Sequence, residues 1–141
     1  TDIACALGLA QLPRLPANLA RRRTIAARYA EAFAAIPGLS LPVVATDVTP
    51  AWHLYPVRVD ASIDRTEVLD ALRAEGLGVN VHYIPVHLHP YYRDRFGYIG
   101  GEFPIAEAVY AQLISLPMFH GMTDEDVDDV IMAVEKVMAY F

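Results

Sequence analysis

Lysine is almost missing from this chain: Lys136 is the only one among 141 residues. Chemistry that needs a reactive amine therefore has one place to look. Cysteine is as scarce, with Cys5 alone. That excludes an internal disulfide and any zinc site built on paired thiolates. Cys5 lies among small apolar residues in "IACALGLA", where a buried, inert thiol is expected. Serine occurs only at Ser40, Ser62 and Ser115, none of them in a GxSxG elbow, so a serine hydrolase is unsupported. No apolar run approaches the ~18 residues of a membrane span. Charged residues are few, at 20%, and the net charge is −6. That charge argues against nucleic acid as the main ligand, because phosphate binding needs a net basic surface or a strong local patch. The one basic cluster, Arg21, Arg22, Arg23 and Arg28, falls on a predicted helix and reads as a solvated face. Thr1 is not an initiator methionine, so the start is silent about a leader, and the cytoplasm is the expected compartment.

Apolar residues, by contrast, make up 55% of the chain. At the length of one ordinary domain, that implies a well-filled core or apolar surface that meets a partner. Thr1 and Asp2 can cap a helix through "IACALGLAQL", broken at Pro13 and Pro16. A longer helix is predicted over about 17–35, with Leu15, Leu19, Ala26, Tyr29 and Phe33 on one stripe. Arg22 shares that stripe, so its stem should cover apolar surface while its head reaches water or an acid. "SLPVV" reads as a short strand. "AWHLYPVRV" reads as a better one, apolar on both faces and so covered on both sides, with Pro56 at an edge or bulge.

Asp64 and Glu67 suggest a capping box for a helix that Gly76 and Gly78 end. Val79–Ile84 follows as a strand up to Pro85. Then come a loop "HPYYRDRFGYIGGEF", a helix from Pro104, a strand "SLPMF" and a last helix opened by Thr123 with Asp126. Val127, Val130, Ile131, Val134, Val137 and Met138 form its apolar stripe. Lys136 falls about 180° from Val127, opposite that stripe, which predicts an exposed, non-catalytic amine. Two helices followed by alternating strands and helices imply an α/β fold, a two-layer sandwich with a small mixed sheet covered by helices.

The chemistry concentrates in "VNVHYIPVHLHPYY", where His82, His87 and His89 interleave with Tyr83, Tyr91 and Tyr92. Metal ligation is disfavoured. His82 and His87 are five apart, there is no HExxH, and none of these three histidines has a carboxylate at helical spacing. For His82 two readings stand side by side. One is a half-buried strand histidine bonded to a carbonyl; the other is a pocket group among aromatic rings that stack on flat or sugar rings. The glycine pair Gly100-Gly101 reads as a turn. Residue types and spacing alone reach a soluble α/β domain with an aromatic, histidine-rich pocket.

The opening "TDIACALGLAQLPRL" resembles the "TDIQAALGLAQL" segment of the DegT/StrS-type sugar-nucleotide aminotransferases. The likeness runs on through "ARRRTIAARYAEAF", "AWHLYPVRV", "GLGVNVHYIPVHLHPYYRDRFGY", "FPIAEAVYAQLISLPMF" and "MTDEDVDDVI". Within the family, the "VNVHYIPVHLHPYYR" block is most similar to the aminotransferases of pseudaminic acid biosynthesis. The resemblance implies that residues 1–141 are the C-terminal small domain of a fold-type I aminotransferase, with 1–36 as leading helices from a larger domain. It implies pyridoxal 5'-phosphate as cofactor, held mainly by that other domain together with the Schiff-base lysine. It also implies a UDP-linked 4-keto-6-deoxy-N-acetylhexosamine as acceptor, glutamate as amino donor and a homodimeric whole protein.

On the same basis His82, Tyr83, His87 and Tyr92 face the substrate cleft and position the substrate, while no residue of this segment is catalytic or holds cofactor or metal. Tyr91 and Arg93 belong to the cleft rim by the same resemblance, and His53 and His89 are structural. Two other readings stay open. One is a stand-alone sugar-nucleotide-binding module, the other a histidine-based metal protein.

Overall fold

The computed structural model describes every residue from Thr1 to Phe141. Helix α1 (Asp2–Gln11) starts where Thr1 Oγ1 accepts from the Ala4 amide at 3.3 Å. The expected break at Pro13 is a single 3-10 turn over Leu12–Arg14, and α2 (Leu15–Phe33) continues from it. Pro16 sits in the first turn of α2, where its missing N–H leaves nothing unpaired. The inner face of α2 buries Ile25, Ala26, Tyr29 and Phe33. Leu15 is exposed and Leu19 only half-buried, because the core lies under the C-terminal half of the helix. Helix α1 buries none of its residues. Cys5 is consequently exposed, against the expectation of an inert buried thiol.

The sheet has three strands in the order β1 (Leu39–Ser40), β2 (Tyr55–Val59), β3 (Leu113–Leu116). Both pairings are antiparallel, so the expected mixed sheet is antiparallel throughout, within the α/β class expected. β1 reaches only Arg58 and Val59. Pro56 pairs with Ser115 on β3 and has no strand on its other side, which is how a proline is tolerated in the middle strand. Along β2, Tyr55, Val57 and Val59 are buried but Arg58 is exposed. The strand is covered on one face, not both.

The expected strand over Val79–Ile84 shrinks to one bridge. Asn80 N–H donates to Ser115 at 3.3 Å, and Ser115 N–H donates back at 2.8 Å. Val79 is buried, Val81 half-buried and Tyr83 72% exposed. The segment therefore leaves the sheet as it approaches Pro85.

Helix α3 (Arg65–Ala74) is capped by Asp64, whose carboxylate accepts from Thr66 N–H at 2.7 Å; Glu67 returns no bond. Part of the expected aromatic loop is a helix, α4 (Pro90–Phe96), ended by Gly97 at φ 76°. Helices α5 (Pro104–Gln112) and α6 (Asp124–Met138) follow as expected, α6 with a complete Thr123/Asp126 capping box. Its stripe is buried, except that Ile131 is half-buried.

The core lies where α2, α3 and α6 cover β2 and β3. Tyr29 stacks on Phe33 at 5.5 Å, meets Tyr55 edge-on at 5.2 Å and donates its hydroxyl to Pro117 C=O at 3.0 Å. Burial raises the pKa of both tyrosines, that of Tyr55 to about 12.

The basic cluster is not a solvated face. Arg22 Nη1 donates to the carbonyls of Trp52, His53 and Met118 at 2.8, 3.1 and 3.2 Å. Arg21 pairs with Asp124 at 2.8 Å, and Arg28 pairs with both Asp124 and Asp128. Three of the four arginines thus fasten α2 to the α6 N-terminus and to the neighbouring loops. No helix is long and apolar enough to cross a membrane.

Candidate functional site: an aromatic cleft with two histidines

Pro85 divides the histidine segment between two adjoining cavities. The larger, about 650 Å³, has His82 and Tyr83 on one side and Ile105, Val109 and Tyr110 of α5 on the other. The smaller, about 440 Å³, holds His87 with Tyr92, Phe96, Tyr98 and Phe103. Pro85, Phe103 and Ala106 line both. The four residues singled out from the sequence thus flank a common wall, two on each side. Tyr91 and Arg93 line neither cavity. His53 and His89 have exposed rings.

The two histidines differ in support. His87 is buried at 8% exposure, packs on Phe103 at 4.6 Å and meets Tyr98 edge-on at 6.1 Å. Its Nε2 lies 2.8 Å from Glu107 Oε1. His82 leans edge-on against Tyr83 at 4.7 Å, and its Nδ1 is buried with no hydrogen-bond partner. The carbonyl-bonded structural reading of His82 is therefore not realised at Nδ1. A buried polar atom without a partner calls for a ligand, a water or another protein surface.

Glu102 and Glu107 are the site residues that the sequence did not disclose. Gly100 and Gly101 have φ of 100° and 92°, so the turn expected there forms. The turn is also held by carboxylates. Glu102 accepts from the amides of Ile99 and Gly100, both at 2.9 Å. Glu107 accepts from Gly101 at 2.8 and 2.9 Å and from Phe103 at 3.4 Å. Both carboxyls are held below the usual carboxylate pKa range. For Glu107 the largest cause is the His87 bond, followed by the Gly101 amide; for Glu102 it is the Ile99 amide. The signal available was an acid within seven residues after a glycine pair, a common pattern with no unique meaning.

His87, Glu102 and Glu107 bring their ligand atoms within 4.8 Å of one another. They are a weak cation site, because both carboxylates already accept backbone amides and Glu107 also bonds the His87 ring. A metal would have to compete with those bonds for the same lone pairs.

Nor do these residues fit a pyridoxal phosphate site by themselves. Lys136 is 68% exposed in its side chain and paired with Glu75 at 2.8 Å. It borders a separate depression of about 470 Å³ that shares no residue with the cleft. The amides of the glycine turn are taken by the two carboxylates, so they offer no free cradle to a phosphate.

A small antiparallel sheet under three helices, with an aromatic cleft on one side, places the chain in the α/β class. The chain belongs to the DegT/DnrJ/EryC1/StrS aminotransferase family, whose pattern matches residues 1–135. It is 48% identical over 141 residues to the spore coat polysaccharide biosynthesis protein SpsC of Bacillus subtilis (strain 168), covering 97% of this chain and 36% of that protein. Among solved structures, Spr1654 from Streptococcus pneumoniae in its PLP-form superposes with a TM-score of 0.91 at 33% identity, over 99% of this chain and 36% of that one. PseC from Helicobacter pylori, an aminotransferase involved in the biosynthesis of pseudoaminic acid, gives 0.88 at 27% identity, over 96% of this chain and 37% of that one. The chain thus spans little more than a third of the relatives it matches.

Proposed function

We propose that these 141 residues are the C-terminal small domain of a pyridoxal phosphate-dependent sugar-nucleotide aminotransferase, and that they form the substrate wall of a composite active site. The observation that carries this reading is the contrast between the cleft and Lys136. The cleft is equipped to hold a ring-shaped ligand, whereas the one amine is exposed and tied to Glu75 on the surface. An imine-forming lysine and the cofactor's phosphate contacts then belong to the remainder of a longer, homodimeric, cytoplasmic protein. The cofactor supplies an electron sink for amino transfer. His82, Tyr83, His87 and Tyr92 bind and orient the sugar, and proton transfer at the reacting carbon is left to the lysine elsewhere.

For substrate we infer a UDP-linked 4-keto-6-deoxy-N-acetylhexosamine aminated at C4 at the expense of glutamate. The likeness to PseC supports a route to pseudaminic acid. SpsC, at higher identity, supports the same chemistry feeding a surface polysaccharide. This segment alone should be inert, since one domain cannot present the positioned electrophile.

The test is spectroscopic. The gene's full coding sequence is expressed and pyridoxal phosphate is added. An imine band in the visible range that L-glutamate bleaches is expected. No band from a full-length protein of family size would overturn the enzyme reading and favour a sugar-nucleotide-binding module.

A further inference from the structure

His87 presents one ring nitrogen to Glu107, and that contact decides what the other can do. Glu107 accepts from Gly101 N–H with both of its oxygens. Together with the His87 contact these bonds hold the Glu107 carboxyl below its ordinary range, so it is ionised near neutral pH and can only accept. The proton between Glu107 Oε1 and His87 Nε2, 2.8 Å apart, therefore belongs to the imidazole. A neutral imidazole has one proton, so its Nδ1 carries a lone pair. No protein group bonds Nδ1; the only histidine nitrogen both buried and unpaired is His82 Nδ1. With the ring itself 8% exposed, what remains open on it borders the smaller cavity.

We propose that Glu107 is a positioning residue that holds His87 as its Nε2–H tautomer, so that the smaller cavity offers an acceptor to its ligand and selects a hydroxyl or amide N–H. Around that acceptor stand the rings of Tyr92, Phe96, Tyr98 and Phe103. Aromatic faces of this kind suit the C–H face of a sugar ring. A neutral, hydroxyl-bearing ring fits this pocket. A phosphate or carboxylate does not, because its lone pairs would meet another lone pair. Resting on the sugar-aminotransferase reading, this assigns the sugar ring to the His87 side of the cleft. The diphosphate and the amino donor's carboxylates go elsewhere.

The test uses this chain labelled with ¹⁵N-histidine and long-range ¹H–¹⁵N correlation near pH 8. His87 is expected to show a pyrrole-like Nε2 and a pyridine-like Nδ1. In Glu107→Gln the amide oxygen can keep the Gly101 N–H while the amide NH₂ faces Nε2, so the two shifts should exchange. Glu102→Gln, whose carboxylate contacts Ile99 and Gly100 but not His87, should leave them as they were. A wild-type Nδ1–H tautomer, or an unchanged tautomer in Glu107→Gln, overturns the proposal. Should that variant not fold, the wild-type spectrum still decides.

N-acetylglucosamine and inorganic phosphate then serve as probes. Movement of the His87 Nδ1 resonance by the amide sugar and not by phosphate is expected, and the reverse order overturns the proposal. None of these readings depends on the cofactor. A failed imine assay and a failed tautomer assay are therefore distinguishable.

Discussion

Arg22 shows how far a single side chain can depart from its expected part. Its place on the apolar stripe of α2 predicted a stem lying over the core, with its head reaching water or an acid. Its guanidinium instead donates to the carbonyls of Trp52, His53 and Met118, joining three stretches far apart in sequence. Those carbonyls belong to irregular backbone, which no spacing rule could have located. Hydrogen bonds to a charged donor are worth about 1.5–3 kcal/mol each when their loss strands a partner. Some of the three can find water instead, so Arg22→Met should cost about 2–3 kcal/mol in urea denaturation. Arg22→Lys should recover only part, because an ammonium lacks the planar fork. An unchanged midpoint in Arg22→Met would show the contacts to be incidental. His82 belongs to the same scale. In the full-length enzyme His82→Ala should raise KM for the keto-sugar by several-fold with kcat little altered, since the ring is proposed to bind and not to transfer protons. Collapse of kcat at unchanged KM would remove it from the binding role.

Elements that carry their own start signal were readable. Helix α6 has Thr123 accepting from Asp126 N–H at 3.0 Å and Asp126 accepting from Thr123 N–H at 2.7 Å, the reciprocal box its sequence announced. Thr123→Ala should cost about 1 kcal/mol, visible as a lower unfolding midpoint at neutral pH. Elements whose existence depends on a partner were not readable. Val79–Ile84 alternates like a strand, yet β3 offers it one bridge at Ser115 and no more. The aromatic segment from Pro90 is a helix because Gly97 closes it and Tyr92 stacks toward Phe96 at 6.1 Å. At the cleft, the histidines and tyrosines stood out by number. Glu107 did not, since its role arises only when α5 folds back against the turn before it.

Acid sensitivity follows from the same local bonds. Asp124, Asp126, Asp60, Glu102 and Glu107 all have folded carboxyls below their ordinary values. The chief causes are, respectively, the Arg21 side chain, the Thr123 amide, the Ser62 amide, the Ile99 amide and the His87 ring. The folded state therefore binds fewer protons than the unfolded one as pH falls. The stabilisation is complete above the unfolded carboxylate range near pH 4 and is lost below it. Thermal midpoints should be level from about pH 5 upward and fall below about pH 4. Asp126→Asn should flatten that acid limb, and an equally steep limb would count against the cap's contribution.

Seen whole, the molecule is well packed at one end and bare at the other. Ile3, Leu7, Leu9 and Leu12 are 60–84% exposed, and they lie on different sides of α1 and the turn after it. A helix apolar all round is ordinarily enclosed on all sides, yet α1 buries none of its ten residues. Ten residues are also too few to hold a helix in water by propensity alone. Two consequences follow for the chain studied by itself. The amides of α1 should exchange with solvent far faster than those of α6, whose stripe is locked in the core. At high concentration the exposed leucines and isoleucine should drive association, because an apolar patch of this kind seeks cover. Sedimentation velocity over a concentration series should show mass rising above 15.6 kDa. Ile3→Glu combined with Leu7→Glu should return the chain to monomer without lowering its unfolding midpoint, since neither side chain touches the core. In the proposed full-length enzyme the same amides should be protected, because the rest of the protein then covers α1. Slow exchange of α1 in the isolated chain, with a strict monomer at every concentration, would mean that this helix needs no cover. The proposal of a covering domain would then lose its structural support.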